Sequence, residues 1–176
     1  MLTAEEFARL PDLGPCELVN GKIVRLTHTR PTHGIVEIRM GASLLAWADK
    51  TGRGLVMGGE VGLWVRRNPD TVRGADVLFI SHERYARRDP KGVLDVAPEL
   101  VVEILSPDDR RGHVEEKLAE YLEMGVDLVW IVDPEFRYVL AYRSQFDVER
   151  FEKGDVLTDE EILPGFFLSV SDLFRD

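Results

Sequence analysis

An almost uninterrupted apolar run, residues 100–105, places the strongest constraint on how this chain folds. A strand with one solvated face alternates apolar and polar side chains, whereas a strand covered on both faces does not. The run contains several β-branched residues, includes one acid, Glu103, and is broken at residues 106–108. The sequence therefore predicts a central strand with structure packed on both faces of its sheet.

Other strand-like segments are bounded by glycine, asparagine or proline. They are a hairpin of 17–19 and 22–26 about Asn20-Gly21, three sheet segments at 55–57, 61–65 and 75–80, a hairpin of 128–132 and 138–142, and an edge strand at 148–151. The glycine-rich stretch 58–62 resembles a phosphate-binding loop. Because it leads into a strand and not into a helix, it predicts a turn or bulge.

Three helices are predicted between these strands. Thr3 and Glu6 form a capping-box pattern that begins a short helix. Apolar side chains recur at helical spacing from residue 32 to residue 49, namely Ile35, Ile38, Ala42 and Leu45, with Val36, Met40 and Trp47 beside them. The third helix, at about 109–124, has an apolar face made of Val114, Leu118, Tyr121 and Leu122, and Gly125 follows as its C′ residue.

Length and charge limit the architecture and the partners. The 176 residues, 44% of them hydrophobic, are enough for one sizeable core. We expect a single domain over residues 1–176, of α/β class, with a central mixed β-sheet flanked by helices. The net charge of −10 repels phosphate backbones and argues against broad, non-specific coating of nucleic acid, although a locally basic cleft is compatible with it.

The sequence predicts a cytoplasmic protein with no membrane partner. Cys16 is the single cysteine, so the chain has no internal disulfide. The first six residues are acidic where a signal peptide is basic, and no apolar run approaches the roughly twenty residues of a membrane span.

Two carboxylates, Asp76 and Glu103, stand in otherwise apolar strands. A buried, unpaired carboxylate is costly unless its pKa shifts until the group is neutral, or unless something compensates its charge. If the two strands are neighbours, both acids reach one hard cation such as Mg²⁺. The alternative is that each acid faces solvent or pairs with an arginine.

Lys117 lies on the helix that follows the Glu103 strand. Val114 and Tyr121 are three and four residues away, so Lys117 stands at the border of the buried face and can direct its ammonium toward the sheet. A solvated helix lysine is the ordinary alternative.

Several motifs, taken together, resemble a known family. They are Glu17 in CELVNG, His33 at a helix start, RGADV around Asp76, APELVVEILSP around Glu103, the spacing Lys117-x-x-x-Tyr121-x-x-x-Gly125-Val126, and VWIVDP at 129–134. Over almost the whole chain they are similar to the bacterial Uma-type putative restriction endonuclease family. The resemblance implies the PD-(D/E)XK nuclease superfamily, with a restriction-endonuclease-like core and Mg²⁺-dependent phosphodiester hydrolysis in which Mn²⁺ can substitute.

The resemblance also implies roles for individual residues. Asp76 matches the strand aspartate of the superfamily and Glu103 its second acid, and both would be metal ligands. Leu105 stands where the superfamily signature has a lysine, and this family supplies its lysine from the next helix, here Lys117. Ala75 replaces the usual proline before the aspartate, which leaves the carboxylate intact.

Other residues are secondary candidates for the same site. Glu17 and Glu60 match positions that are often acidic in the family, and one of them is a candidate accessory ligand; plain strand residues facing solvent would look the same. The candidate phosphate contacts are Arg73, Arg110 and Arg111, with surface solvation as the alternative. The histidines show no metal-ligand spacing, and His33 is interpreted as a helix-start residue.

The leading hypothesis is a Mg²⁺-dependent DNA endonuclease in which Asp76 and Glu103 hold the metal and Lys117 orients or deprotonates the nucleophile. The alternative, a non-catalytic nuclease-fold module for binding or assembly, is favoured by the net charge and by the displaced lysine. A metal-dependent hydrolase of small phosphoesters is a third hypothesis. Because two sites facing opposite strands cut a duplex efficiently, we expect a homodimer or a higher even oligomer.

Overall fold

The computed structural model describes residues 1–11, 13–107 and 109–175. Its elements, in chain order, are α1 (Ala4–Ala8), β1 (Cys16–Val19), β2 (Lys22–Arg25), α2 (Pro31–Thr51), β3 (Gly54–Arg66), β4 (Thr71–Ser81), α3 (His82–Tyr85), β5 (Leu100–Ile104), α4 (Arg111–Met124), β6 (Leu128–Asp133), β7 (Tyr138–Tyr142), β8 (Val148–Phe151), β9 (Val156–Leu157), β10 (Leu168–Ser169) and α5 (Val170–Leu173).

A mixed sheet of eight strands forms the centre of the fold. The strand order is β2-β1-β4-β5-β6-β7-β8, and β3 pairs with β4 outside this path. Among the named strands, β5 and β6 are paired in parallel, with α4 as the crossover between them, and the other pairings are antiparallel. The predicted fold class, a central mixed sheet flanked by helices, is confirmed.

Strand β4 is the branch point of the sheet. Along one edge it pairs with β3 over nearly its whole length. Its other edge is shared, because β1 pairs with it at Val72 and β5 pairs with it at Val77–Phe79. The backbone between these two pairings, around Gly74, therefore has no strand neighbour on that edge, and its polar groups need other partners.

Both faces of the central strands are covered, as the apolar run predicts. On β5, Leu100, Val102 and Ile104 pack in one core with α2 and the C-terminal segment, whereas Val101 packs in a second core with α4. Because side chains alternate along a strand, Glu103 projects on the same face as Val101, toward α4. The acid in the apolar run is thus placed under a helix and not at a sheet edge.

Several local predictions are confirmed. The capping box of Thr3 and Glu6 begins α1, and Asn20 and Gly21 both have positive φ in the turn between β1 and β2. The stretch 58–62 is a bulge: β3 is one long strand whose register with β4 shifts between Gly58 and Val61. The strand predictions 55–57 and 61–65 are therefore two parts of one element.

The predicted apolar pattern of α2 needs a correction. Ile35, Ile38 and Leu45 are 48%, 72% and 48% exposed. The buried side of the helix is instead a neighbouring stripe of His33, Val36, Met40, Leu44, Trp47 and Ala48. The helix carries two apolar stripes at helical spacing, and the one that includes the histidine is turned toward the sheet.

Helix α4 begins at Arg111, two residues later than predicted, and ends at Gly125, which has a φ of 100°. Leu118 and Tyr121 are buried as expected, and Val114 and Leu122 are half-buried. The predicted break at 106–108 is described only in part, since Asp108 lies outside the described residues. Within the described ranges, no helix is both long enough and apolar enough to cross a lipid bilayer.

Candidate metal centre and active site

Gly74, at the branch of the sheet, receives side chains in place of a strand neighbour. Its N–H donates to Glu17 Oε1 at 3.0 Å. Its carbonyl accepts hydrogen bonds from Lys117 Nζ at 2.9 Å and from the Tyr121 hydroxyl at 3.2 Å. Glu17 of β1 and Lys117 of α4 therefore bond the Gly74 backbone where a strand partner is missing, in the interior beside Asp76.

Lys117 lies against Glu103 and not in solvent. Its Nζ is 2.7 Å from Glu103 Oε2 and 3.3 Å from Glu17 Oε1. Burial lowers the pKa of Lys117, but the carboxylates of Glu103 and Glu17 outweigh this effect and raise it above its ordinary value. Lys117 is therefore a protonated cation held among carboxylates.

Both oxygens of Glu103 have partners on α4. Oε2 accepts from Lys117, and Oε1 accepts from the fully buried Tyr121 hydroxyl at 2.6 Å. Burial, together with the charge of Asp76, outweighs the opposing effects of Lys117 and Tyr121 and raises the pKa of Glu103 to about 8. A second cation close to this carboxylate would favour its ionised form.

Asp76 is buried where β4 meets β5 and the start of α2. Its Oδ2 accepts the Ile104 N–H at 2.7 Å and lies 3.3 Å from His33 Nε2. His33 in turn has Glu37 one helical turn away, with Nδ1 3.7 Å from Glu37 Oε2. Burial lowers the pKa of His33, but the hydrogen bond and the charge of Asp76 raise it more, so the net shift is upward.

The donor set of His33, Glu37 and Asp76 suits a divalent cation. Their ligand atoms lie within 4.8 Å of one another. Among the described residues, His33 Nδ1 has no hydrogen-bond partner although it is buried. One imidazole and two carboxylates fit Mn²⁺, and carboxylates with water fit Mg²⁺. Glu103 lies outside this group of three, and Asp76 links the group to the Glu103–Lys117 pair.

Glu60 reaches the same region from the bulge of β3, where its φ is 61°. A Cβ atom added at Gly74 would come 2.2 Å from Glu60 Oε2, so the glycine provides the space for this carboxylate. Burial of the carboxylate and the nearby charge of Asp76 together raise the pKa of Glu60 to about 7. Glu60 is therefore part of the electrostatic environment of Asp76.

Arg73 is enclosed in an acidic network on the far side of Gly74. Its guanidinium contacts Glu17 at 2.9 Å, Glu120 at 2.6 Å and Glu116 at 3.3 Å, and the residue is 5% exposed. These carboxylates outweigh the effect of burial and raise the pKa of Arg73. The Arg73 side chain is thus buried among carboxylates.

The remaining predicted residues divide between this network and the surface. Glu17, a candidate accessory ligand, has Arg73, Lys117 and the Gly74 N–H as its partners. Arg110 is the exposed N-cap residue of α4, and the neighbouring Arg111 is exposed and paired with Glu115 at 2.8 Å. Arg110 and Arg111 are therefore exposed to solvent, and Glu17 lies against Lys117 and Arg73.

Three residues of the cluster were missed by sequence reasoning. The sequence places Tyr121 on the apolar face of α4 and in the family spacing after Lys117, but it assigns no partner to its hydroxyl, which donates to Glu103. His33 was interpreted as a helix-start residue, yet it also contacts Asp76, and Glu37 was not considered. The signal for this pair was their spacing, since residues at i and i+4 share one helix face.

Comparisons with known proteins show the family and the fold of the chain. A family model described as "Uma2: Putative restriction endonuclease" matches residues 4–171, so the chain belongs to that family of nucleases. A solved structure of a putative nuclease belonging to DUF820, from Anabaena variabilis ATCC 29413, has the same fold with a TM-score of 0.82. The two chains are 24% identical, over 99% of this chain and 98% of the other. No curated protein matches the chain.

Proposed function

We propose that this protein is a metal-dependent DNA endonuclease that hydrolyses phosphodiester bonds with Mg²⁺ or Mn²⁺. The observation that carries the proposal is the 2.7 Å contact between Lys117 and Glu103 in the cluster that also contains Asp76. A lysine and two acids, brought together from β4, β5 and α4, supply the charges that phosphodiester hydrolysis needs. Membership of a nuclease family supports the same reaction class.

The metal would be held by Asp76 together with Glu103, with His33 and Glu37 as the further donors. When bound, a divalent ion polarises a phosphate oxygen and lowers the pKa of a bound water. Asp76 is common to both sets of donors, so its loss is expected to affect metal binding more than the loss of any other single side chain. Glu60 contributes additional negative charge beside it.

The raised pKa of Lys117 favours one of the two roles predicted for it. An ammonium that stays protonated at neutral pH is a poor proton acceptor. It can orient an attacking water and stabilise negative charge that develops on the phosphate. We therefore assign Lys117 an orienting and charge-stabilising role, with Glu17 and the Gly74 carbonyl holding its ammonium in place.

One observation favours the alternative of a non-catalytic binding or assembly module. Both oxygens of Glu103 are bonded within the protein, to Lys117 and Tyr121, as in a structural ion pair. In a binding module, the contacts of Glu103 with Lys117 and Tyr121 would stay intact with or without Mg²⁺. The net charge of −10 also suits a protein that does not bind long duplexes.

A cleavage assay separates the two functions. Native protein is incubated with Mn²⁺ and either supercoiled plasmid or single-stranded DNA, beside Asp76→Ala and Asp127→Asn. Asp127 directly precedes β6, is partly buried and pairs with Arg84, so it serves as the control aspartate. The proposal is supported if native protein and Asp127→Asn cleave DNA, and if cleavage is lost in Asp76→Ala and in the presence of chelator. It is overturned if the three proteins cleave equally, or if none of them cleaves. Turnover of a small phosphodiester but not of DNA would assign the small-substrate reaction instead.

A further inference from the structure

A cavity of about 740 Å³ opens beside the candidate metal centre. It lies between the first half of α4, the β6–β7 hairpin and the loop that follows β5. This volume is within the range of sites that enclose small organic ligands. It has room for a nucleobase with its sugar.

Two wall residues connect the cavity to Asp76. His33 lines the cavity, and its Nε2 is 3.3 Å from Asp76 Oδ2. Leu105 also lines it and directly follows Ile104, whose N–H donates to the same oxygen at 2.7 Å. An occupant of the cavity is therefore a neighbour of the proposed metal site.

Part of the wall is apolar, and it carries two aromatic rings. Leu118, Ile131 and Leu140 form much of the lining. Tyr138 and Tyr142 stand on the same face of β7, and both are half-buried. Arg150 stacks on the Tyr138 ring at 4.0 Å, so Tyr142 is the better partner for a flat heterocycle. Bases stack on aromatic side chains of this kind with little dependence on sequence, since every base has a flat π face.

The charges of the cavity favour a neutral heterocycle over a phosphate. Its lining contains four carboxylates and two arginines, namely Asp109, Glu115, Asp133, Glu135, Arg30 and Arg111. An excess of negative charge repels a phosphodiester, whereas carboxylate oxygens accept hydrogen bonds from the amino groups of adenine, cytosine or guanine. The phosphate is better placed outside the cavity, at the metal.

We propose that this cavity takes one unstacked nucleobase next to the phosphate that is cleaved, and that the substrate is single-stranded or locally unpaired DNA. The choice of DNA as the ligand rests on the proposed function. A base inside a duplex reaches such a cavity only after it leaves the stack, which costs a few kcal/mol and favours unpaired strands. The net charge of −10 agrees with a contact that depends on a base more than on a long phosphate track.

The test compares DNA-binding affinities and does not require cleavage. Affinity for a labelled single-stranded 12-mer is measured by fluorescence anisotropy in Ca²⁺, with each base in turn replaced by an abasic position. In native protein, one position is expected to lose affinity roughly tenfold when its base is removed. In Tyr142→Ala that loss should largely vanish, because the stacking partner is already gone.

Tyr85→Ala is the matched control. Tyr85 is also half-buried and has Arg88 over its ring, but it lies on α3, away from the cavity. This variant should keep the position-specific loss. If circular dichroism shows that Tyr142→Ala does not fold, Val114→Trp is used in its place. Val114 is half-buried in the cavity wall, so a larger side chain there fills the cavity and should also abolish the position-specific loss.

Four results would overturn the inference. They are the absence of any base-dependent position, a loss that persists unchanged in the cavity variants, equal or tighter binding of the matching duplex, and equal competition by a free deoxynucleoside monophosphate. Base-dependent binding without any cleavage would instead contradict the proposed nuclease and leave the cavity assignment standing. Cleavage of duplex DNA without base-dependent binding would contradict the cavity assignment and leave the proposed nuclease activity standing.

Discussion

At the scale of single residues, the structure gives Lys117 an unusual environment for a helix lysine. Its side chain is 18% exposed, and its ammonium is shared between Glu103, Glu17 and the Gly74 carbonyl. Such a group is held in one orientation, since each movement breaks a charge-assisted hydrogen bond. This rigidity is what an orienting role near a phosphate requires.

Lys117→Ala is expected to leave metal affinity nearly intact and to lower cleavage by roughly two to four orders of magnitude, because a cation is not a ligand but stabilises charge in the transition state. Lys117→Arg should restore little, since a planar guanidinium does not replace an ammonium in this space. Single-turnover rates with Mn²⁺ measure both. Lys50→Ala, an exposed lysine in the last turn of α2, is the control and should stay within a factor of about two. If Lys117→Ala cleaves as fast as this control, Lys117 has no role in the reaction.

At the scale of elements, local signals explain why β5 and α4 could be predicted. The apolar run of β5 and the C′ glycine of α4 are contained in short stretches of sequence. The branch at β4 is different, because it depends on where β1 and β5, which are both remote from β4 in the sequence, pair along one edge of that strand. The acids were therefore found from the sequence, but the gap that admits Lys117 and Tyr121 beside them could not be.

Helix α2 shows a second limit of sequence reasoning. Its two apolar stripes have the same spacing, so periodicity alone does not decide which one faces the sheet. His33 settles the orientation only once Asp76 is known to lie beneath it. His33 and Glu37 could therefore not be predicted as candidate donors, because their significance depends on Asp76 in β4, about forty positions further along the chain.

The upward pKa shifts at this junction of α2, β3 and β5 predict a pH dependence of stability. Glu103 and Glu60 have pKa values of about 8 and about 7, and the pKa of His33 is also raised. Between about pH 5 and pH 8 the folded state therefore holds protons that the unfolded state has released, so stability falls as pH rises. Without metal, we expect the melting temperature to drop by about 5 °C over this interval.

Calorimetric melting in chelator measures how the melting temperature changes with pH. A double variant with Glu60→Gln and Glu103→Gln should show a smaller change. Added Mg²⁺ should restore stability most at pH 8, where the carboxylates are free to bind it. A melting temperature that rises with pH in chelator would show that these carboxylates are ionised throughout and would contradict the proposed electrostatics.

At the scale of the whole molecule, one cluster of the proposed kind would cut one strand at a time, which suffices for an unpaired strand but not for concerted cutting of a duplex. Concerted cutting of both strands needs two such clusters facing opposite strands, and a closed two-fold pair is the commonest way to achieve it. We therefore predict a homodimer or a multiple of one, with a mass by light scattering at least twice the 20.0 kDa of the chain. A monomeric mass at micromolar concentration would contradict the predicted dimer and concerted cutting of a duplex, and it would leave the cutting of single strands, the substrate inferred for the cavity, unaffected.

The central claim is that a divalent ion binds where β4, β5 and α2 meet, and calorimetric titration with Mn²⁺ tests it most directly. Native protein should bind Mn²⁺. Asp76→Asn and Glu103→Gln should both lose this affinity while remaining folded, because a neutral amide replaces an anionic ligand of similar size. Glu160→Gln, an exposed acid in the C-terminal segment, should bind as native protein does. Unchanged Mn²⁺ affinity in Glu103→Gln would remove Glu103 from the ligands, and unchanged affinity in Asp76→Asn would contradict the metal centre itself.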